Sequence, residues 1–239
     1  MKALDLFCGL GGWSDGLALE GFEILGVEIE SEIAALYKHP VIVEDVRNLD
    51  PSEFKGYDLI VGSPPCRDFT RLGRMFGHNW KKPPDPEGRG MDLVNSFLRI
   101  IKKSEPTYWL LENVPDLEKY LKIPPRTTAK IGESMRRSFW GNFPAFLIPR
   151  DMNKKTFTKR KYLKGEHEGK NSPVCIDGSK YASWERARIP IPVSRSLGKC
   201  ISVAIRGRGS LIEPIVSLIP SDDDVIIADN MTNTDREEE

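Results

Sequence analysis

The sequence has few of the residues that build metal centres and disulfide scaffolds. Its 239 residues include four cysteines and three histidines. The cysteines, Cys8, Cys66, Cys175 and Cys200, show no CxxC spacing. This pattern argues against a zinc site, and so long a chain does not need disulfides to hold a core. We therefore expect no bound metal and reduced thiols, most of them filling the core.

Long apolar runs are also missing. No run approaches the ~20 residues that a membrane-spanning helix needs, and the N-terminal MKALDLFCG reaches polar and glycine residues too early for a secretory signal. Hydrophobic residues make up 39% of the chain and charged residues 29%, which is typical of globular proteins. We expect a cytoplasmic protein that is a monomer and makes no membrane contact.

The formal net charge of zero conceals two segments of opposite sign. Residues 119–170 contain 14 Lys and Arg against 4 Asp and Glu, whereas residues 222–239 contain 1 Arg against 8 acids. The basic segment suits either a polyanion-binding face or an ordinary solvated surface. The acidic end is expected to be disordered.

Residues 1–115 alternate apolar strands with helical segments. KALDLF, FEILGVEI, VIVED, YDLIVGS and TYWLLENV have the composition of strands, and DLVNSFLRIIKK has helical periodicity. The alternation predicts an α/β, Rossmann-like fold: a mainly parallel sheet with helices on both faces. Such folds bind ligands at the carboxyl ends of their strands. GLGG, Glu28, Asp45, SPPC and ENV each follow a predicted strand, which indicates one composite site.

The glycine-rich turn after the first strand indicates a nucleotide-like ligand. Ser14 stands where the third glycine of GxGxxG would be, so the dinucleotide fingerprint is broken. A site for S-adenosylmethionine (AdoMet) uses the same geometry: Glu28 would accept hydrogen bonds from ribose hydroxyls and Asp45 from an adenine amino group. An acid after the second strand also suits NAD, and either carboxylate could be a surface group or a helix cap.

The SPPC and ENV segments contain the candidate reactive side chains, Cys66 and Glu112. Two prolines stiffen the backbone before Cys66, whose thiol becomes a good nucleophile only where its surroundings lower a pKa of ~8.5. A lone cysteine is more often structural than catalytic. Glu112, after the apolar YWLL, is either a protonated hydrogen-bond donor in a pocket or a solvated turn acid.

DLFCGLGG, GSPPC and LLENV, in this order, resemble the motifs of the cytosine-C5 DNA methyltransferases over about residues 3–115. The resemblance implies AdoMet as cofactor, double-stranded DNA as substrate and a flipped-out cytosine that bonds covalently to the cysteine through C6. It implies Cys66 as nucleophile, Glu112 as acid partner and Arg137 as a contact to the cytosine carbonyl or to Glu112. A cognate restriction enzyme is a further possible partner.

The resemblance also implies the residues that line the cofactor pocket: Phe7, Gly9, Leu10, Gly11, Gly12, Glu28, Ile29, Asp45, Val46, Pro64 and Leu93. We expect DNA contacts from the long stretch 67–90, which lacks clear periodicity, and from the basic segment beyond it. The residues proposed for these contacts are Arg67, Thr70, Arg89, Lys154, Lys155 and Arg160, with Arg89 placed at the phosphate of the flipped nucleotide.

Four regions follow from this reading. Residues 1–141 are expected to form the catalytic, AdoMet-binding domain, and residues 142–183 a small basic target-recognition lobe. Residues 184–206 would form a helix that returns to the catalytic domain, and residues 207–239 a C-terminal extension with a disordered acidic tail. A lobe of about forty residues is small for the family, which implies a short or loosely read target or help from a partner.

The sequence departs from the family pattern in its later motifs. The QxRxR element retains only Arg137, PPCQxFS becomes PPCRDFT, and the nearest match to the late GN element is Gly198-Lys199. Two alternatives therefore stay open: the same chemistry on a tRNA cytosine, and a catalytically silent DNA-binding protein with the same fold. An NAD enzyme is disfavoured, because Ser14 breaks the fingerprint and a PPC strand end has no role there.

Overall fold

One seven-stranded sheet organises the molecule. The structure, a computed structural model, describes residues 1–70, 83–131, 135–148 and 188–207. The sheet has the order β3-β2-β1-β4-β5-β7-β6. Its strands are β1 (Lys2–Leu6), β2 (Glu23–Glu28), β3 (Val41–Val43), β4 (Leu59–Gly62), β5 (Tyr108–Asn113), β6 (Thr127–Ile131) and β7 (Met135–Asn142). The first five are parallel and the last two antiparallel. The mainly parallel α/β architecture is confirmed.

Helices cover both faces of the sheet. They are α1 (Gly12–Leu19), α2 (Ser31–Ala34), α3 (Met91–Ser104), α4 (Glu118–Leu121) and α5 (Ile191–Arg206). Short 3₁₀ turns span Val46–Asn48, Pro51–Phe54, Cys66–Asp68 and Pro115–Leu117, and a π-helical turn spans Pro86–Gly90. Within the described residues, no helix is both long and apolar enough to cross a bilayer.

Strand alternation divides the core into two layers. Leu59 and Val61 of β4 point towards α1 and α5, whereas Ile60 between them points towards α3. All three are completely buried. Because successive side chains of a strand point to opposite faces, a strand covered on both sides must be apolar throughout. This is why the parallel strands were recognisable in the sequence as continuous apolar runs.

The chain order of the strands reverses at β1. The chain runs outwards from β1 to β2 and β3, and then returns to the other side of β1 to form β4 and β5. Strand β1 therefore lies between β2 and β4, and the connections on its two sides separate at its carboxyl end. Open α/β sheets bind ligands in the crevice that forms at such a point. The turns that follow β1 and β4, which contain GLGG and SPPC, border this crevice.

Strands β6 and β7 were missed in the sequence analysis. β6 reads TTAKI and alternates half-buried with exposed residues, so it has no apolar run. β7 pairs antiparallel with β5 in a register that sets Glu112 opposite Phe139 and Asn113 opposite Ser138. This pairing brings Arg137, one residue before Ser138, to the end of β5.

Helices α1 and α5 cross closely because glycine lies at their contact. A Cβ atom on Gly16 would come within 2.5 Å of the Arg195 backbone nitrogen, and one on Gly12 would come equally close to that of Ile189. Gly198, the nearest match to the family's GN element, lies inside α5 against Leu17. Gly12, expected to contact the cofactor, thus has a packing role that requires glycine.

Three predicted segments cannot be compared in full. The described residues do not include residues 149–187, which cover most of the predicted recognition lobe. They also do not include residues 208–239 of the C-terminal extension and residues 71–82 of the long stretch. The short strands expected within residues 207–227 fall almost wholly in this part of the chain. They stay predictions.

A buried polar cluster lies beneath the glycine-rich turn. Ser14 Oγ donates to Asp5 Oδ2 at 2.6 Å and lies 2.5 Å from the Tyr37 hydroxyl oxygen. The second carboxylate oxygen of Asp5 has no hydrogen-bond partner among the described residues. Burial raises the pKa of Asp5 to about 7, and the hydrogen bond from Ser14 opposes this shift.

We expect Asp5→Asn to flatten the pH dependence of stability. The folded pKa of about 7 exceeds the ordinary value of 3.8. The protonated carboxyl therefore stabilises the fold below about pH 4, and this contribution is lost as the pH rises through 7. Since each pKa unit corresponds to about 1.4 kcal/mol, the free energy of unfolding should fall by at most about 4 kcal/mol between these pH values. Urea unfolding at pH 4, 5.5 and 7 measures it. Asp58→Asn, a control at the other end of the sheet, should keep the wild-type profile; if Asp5→Asn keeps it too, Asp5 does not titrate in this window.

Candidate active site

The turn after β1 adopts left-handed backbone conformations. Phe7, Gly9 and Gly11 have φ angles of 60°, 53° and 79°. Such angles cost glycine little but strain a side chain such as phenylalanine. Strained residues cluster at functional sites, because the surrounding structure has to hold them there. Gly9 and Gly11 are buried, whereas Phe7 and Leu10 are half-buried beside the crevice.

Glu28, the last residue of β2, is fixed by backbone donors. Its Oε2 accepts from the Gly9 nitrogen and its Oε1 from the Glu30 nitrogen, both at 3.0 Å. The side chain is only 3% exposed, and burial raises its pKa while these backbone hydrogen bonds oppose the shift. The backbone of Ile29 also hydrogen-bonds this carboxylate. Because a carboxylate offers about four acceptor sites, one remains for a ligand.

Two exposed apolar side chains flank Glu28. Ile29 follows it and is 55% exposed, and Val43 lies opposite Glu28 on β3 and is 51% exposed. Large apolar side chains this exposed, beside a buried carboxylate, suit the flat apolar face of a ligand. Val43 was not among the predicted residues, although it ends the VIVED strand.

Asp45 is engaged by a neighbouring cation. Arg47 donates to both of its carboxylate oxygens through Nε, each at 3.0 Å, and this hydrogen bonding lowers the pKa of Asp45. Arg47 also contacts Asp92 at 3.1 Å. Val46 is buried in the core on the α3 side, and Leu93 of α3 is half-buried. An adenine amino group at Asp45 would have to share the carboxylate with Arg47.

Hydrogen bonds connect the SPPC turn to the end of β5 and to the start of α1. The side-chain amide of Asn113 donates to the Pro64 carbonyl at 3.0 Å. The indole N–H of Trp13, in the first turn of α1, donates to Ser63 Oγ at 3.0 Å. The turn that contains Cys66 is thus fixed to the end of β5 and to the glycine-rich turn.

Cys66, Glu112 and Arg137 converge. Arg137 Nη1 lies 3.2 Å from Glu112 Oε1 and 4.0 Å from Cys66 Sγ. Glu112 is 2% exposed and Arg137 is 6% exposed. Although the Oε1 distance is that of an ion pair, this buried oxygen accepts no hydrogen bond within the described parts of the chain. It is therefore available to a ligand that reaches the pair.

The electrostatics of the cluster centre on the guanidinium. Burial raises the pKa of the Cys66 thiol, whereas the positive charge of Arg137 opposes this rise. The nearby Glu112 carboxylate raises the pKa of Arg137, so the guanidinium keeps its charge in spite of burial. Arg137 is thus the group that favours a thiolate at position 66.

Arg89, which the sequence analysis placed at a phosphate, is hydrogen-bonded within the protein in this structure. Its Nε donates to Asp68 Oδ2 at 3.0 Å and its Nη2 to Asp68 Oδ1 at 2.5 Å and to the Pro83 carbonyl at 2.9 Å. Those donors are committed to protein acceptors rather than directed towards a phosphate. Asp68 stands at the unspecified position of the PPCQxFS pattern, so the sequence did not single it out.

The other predicted DNA contacts divide into two groups. Arg67 is exposed and the half-buried Thr70 donates from Oγ1 to the Arg67 carbonyl at 3.2 Å, so both lie beside Cys66. Lys154, Lys155 and Arg160 lie outside the described residues.

Two other features do not mark the site. An apolar cavity of about 250 Å³ is lined by Leu98, Trp109 and Trp140 together with the 121–126 segment, and none of the predicted site residues borders it. The described residues contain no group of three His, Cys, Asp or Glu that could hold a metal ion. The candidate site is therefore defined by the convergence of side chains at the strand ends.

Comparison with known proteins identifies a family that this sequence matches. A family model described as C-5 cytosine-specific DNA methylase matches residues 1–145. The type II methyltransferase M.HindV of Haemophilus influenzae is 38% identical over 128 residues, which cover 50% of this chain and 39% of that protein. M.FnuDI of Fusobacterium nucleatum is 35% identical over 119 residues, or 48% of this chain and 32% of that protein.

A shorter relative is matched over most of its length. M.HgiGI of Herpetosiphon aurantiacus is 34% identical over 124 residues, which cover 48% of this chain and 90% of that protein. The chain thus spans about a third to two fifths of the two longer relatives and nearly all of this one. Because the family model matches more than half of the sequence, the chain belongs to the C-5 cytosine-specific DNA methylase family.

Proposed function

We propose that this protein transfers a methyl group from AdoMet to C5 of a cytosine flipped out of double-stranded DNA. One observation carries the proposal: a thiol, a guanidinium and a buried carboxylate oxygen without a hydrogen-bond partner among the described residues converge at one strand-end crevice. This set matches what methylation of a pyrimidine ring requires, namely a nucleophile for C6 and a hydrogen-bonding group for the opposite ring edge.

The residues beside the crevice fit AdoMet. The remaining acceptor site of Glu28 would take a hydrogen bond from a ribose hydroxyl, and Ile29 and Val43 would pack against the adenine. The turn at residues 7–11 would lie against the rest of the cofactor, with Phe7, Leu10 and Leu93 around it. AdoMet, when bound, supplies a methyl group on a sulfonium, which departs as a neutral thioether.

The chemistry of the ring depends on Cys66. The thiolate adds to C6 of the cytosine, and the electron pair of the C5–C6 double bond makes C5 nucleophilic. C5 would then take the methyl group, and a base, such as a water molecule from solvent, would remove the C5 proton as the C6–S bond breaks, which restores the double bond and expels the thiolate. For Glu112 to donate a hydrogen bond to N3, its carboxyl would take up a proton from solvent, and this hydrogen bond would stabilise the charge that builds up on the ring. Arg137 would hold the Glu112 carboxyl in place and favour the thiolate.

The base has to leave the helix before this can happen. Inside a stacked duplex the C6 atom is covered on both faces, so the target nucleotide must be extruded at a cost of a few kcal/mol. Basic residues such as Lys154, Lys155 and Arg160 would contact the DNA backbone and contribute affinity without reading sequence.

Cells that express the protein should contain 5-methylcytosine in their DNA, as measured by bisulfite sequencing, and Cys66→Ala should remove it because no thiolate remains to activate C5. The purified Cys66→Ala variant should still bind AdoMet, since Cys66 does not belong to the cofactor pocket. Bisulfite sequencing of tRNA from the same cells is the second arm. Methylation confined to tRNA would show that tRNA rather than DNA is the substrate. Methylation of neither nucleic acid would contradict the proposed activity.

Glu28→Ala should weaken AdoMet binding by roughly 1.5–3 kcal/mol, the value of hydrogen bonds to a charged acceptor. Isothermal titration calorimetry of the purified protein measures the change. Glu30→Ala is the matched control, because its exposed carboxylate lies two residues away and only its backbone contacts Glu28. An unchanged affinity of a folded Glu28→Ala variant would place Glu28 outside the cofactor pocket.

A further inference from the structure

A second ion pair lies beside the nucleophile. Asp68, two residues after Cys66, is only 4% exposed, and both of its carboxylate oxygens accept from the Arg89 guanidinium. Oδ1 also accepts from the Asp85 backbone nitrogen at 3.1 Å. A carboxylate this deeply buried is stable only where it is paired and hydrogen-bonded. We call Asp68 and Arg89 the clasp.

The Arg89 side of the clasp is equally constrained. Asp85 caps its own turn, with Oδ1 accepting from the Gly88 nitrogen at 3.0 Å and Oδ2 from the Arg89 nitrogen at 2.9 Å. Arg89 leads directly through Gly90 into α3. The guanidinium is therefore fixed to the start of a buried helix, which gives the Cys66 turn a rigid support.

Packing beside the clasp leaves little room for movement. A Cβ atom on Gly90 would lie 2.8 Å from the Phe69 ring and 3.2 Å from Asp68 Cβ. Phe69 is 1% exposed, and its nitrogen donates to the Cys66 carbonyl at 3.0 Å. The turn at residues 66–69 is thus pressed against the 85–90 turn by a glycine contact as well as by the ion pair.

We propose that Asp68 and Arg89 are positioning residues: their ion pair holds the Cys66 turn against the start of α3, so that the thiol faces Arg137 and Glu112. This inference rests on the proposed function for its catalytic consequence. The clasp acts through the backbone of the turn, because neither the Asp68 nor the Arg89 side chain forms a hydrogen bond with the Cys66 sulfur within the described part of the chain. The alternative is that Arg89 leaves Asp68 and binds a DNA phosphate.

The first test measures Cys66 itself. Asp68→Asn and Arg89→Gln should each raise the rate of iodoacetamide alkylation at Cys66 by about an order of magnitude, because a turn released from its support opens more often. Peptide mass spectrometry reports each cysteine separately. Cys8, which is 6% exposed, serves as the internal control for folding and should stay protected. Asp116→Asn, which breaks the exposed pair with Lys119, should leave Cys66 unchanged.

The second test measures catalysis with a duplex that the wild type methylates. Each clasp variant should lower kcat between about 10- and 100-fold, the effect of a slightly misplaced reacting group, while the KM for DNA and the Kd for AdoMet stay unchanged. The double variant should be no worse than the poorer single variant, because both substitutions break the same contact.

Two results would overturn the proposal. Unchanged alkylation of Cys66 in both single variants would show that the clasp does not position the turn. If Arg89→Gln instead weakens DNA binding and reduces the salt slope by about 1 while Asp68→Asn keeps its kcat, Arg89 is a phosphate contact. The alkylation measurement needs no methyl transfer, so it decides the role of the clasp even if the protein methylates no DNA.

Discussion

The site depends on one buried ion pair, between Arg137 of β7 and Glu112 of β5. Neither group would be stable alone in the interior, since an isolated buried charge costs far more than a paired one. Their contact, 3.2 Å from Nη1 to Oε1, exists because β7 pairs antiparallel with β5. Among the described residues, the antiparallel edge of the sheet therefore supplies the cation, Arg137, that opposes the effect of burial on the pKa of the Cys66 thiol.

The surrounding structure restrains this cluster from three sides. Asn113 ties the Pro64 carbonyl to β5, Trp13 ties Ser63 to the first turn of α1, and the clasp ties Asp68 to the start of α3. Each of these side chains is fixed by an element that is itself buried. The proposed addition of the Cys66 thiol to a ring requires a narrow range of geometry, which this kind of support would provide.

The sequence predicted the parts that follow local rules. Parallel strands buried on both faces appear as apolar runs, so the sheet and the strand-end positions of Glu28, Cys66 and Glu112 could be placed. It did not predict β6 and β7, because TTAKI alternates at a half-exposed edge and lacks an apolar run. The ion pair between Arg89 and Asp68 could not be predicted, because the two residues are distant in sequence and no periodicity marks a tertiary ion pair. Gly12 could be read as a ligand contact because the sequence gives no sign that the backbone of Ile189, just before α5, packs on it.

The covalent bond between Cys66 and a cytosine ring is the central claim, and a mechanism-based trap tests it most directly. A duplex with 5-fluorocytosine at the methylated positions cannot lose a C5 proton, so the thiol stays attached once the methyl group has been transferred. Incubation with AdoMet should give a protein–DNA adduct that survives denaturation and is absent for Cys66→Ala. If no adduct forms although the unsubstituted duplex is readily methylated, the account of the site is contradicted.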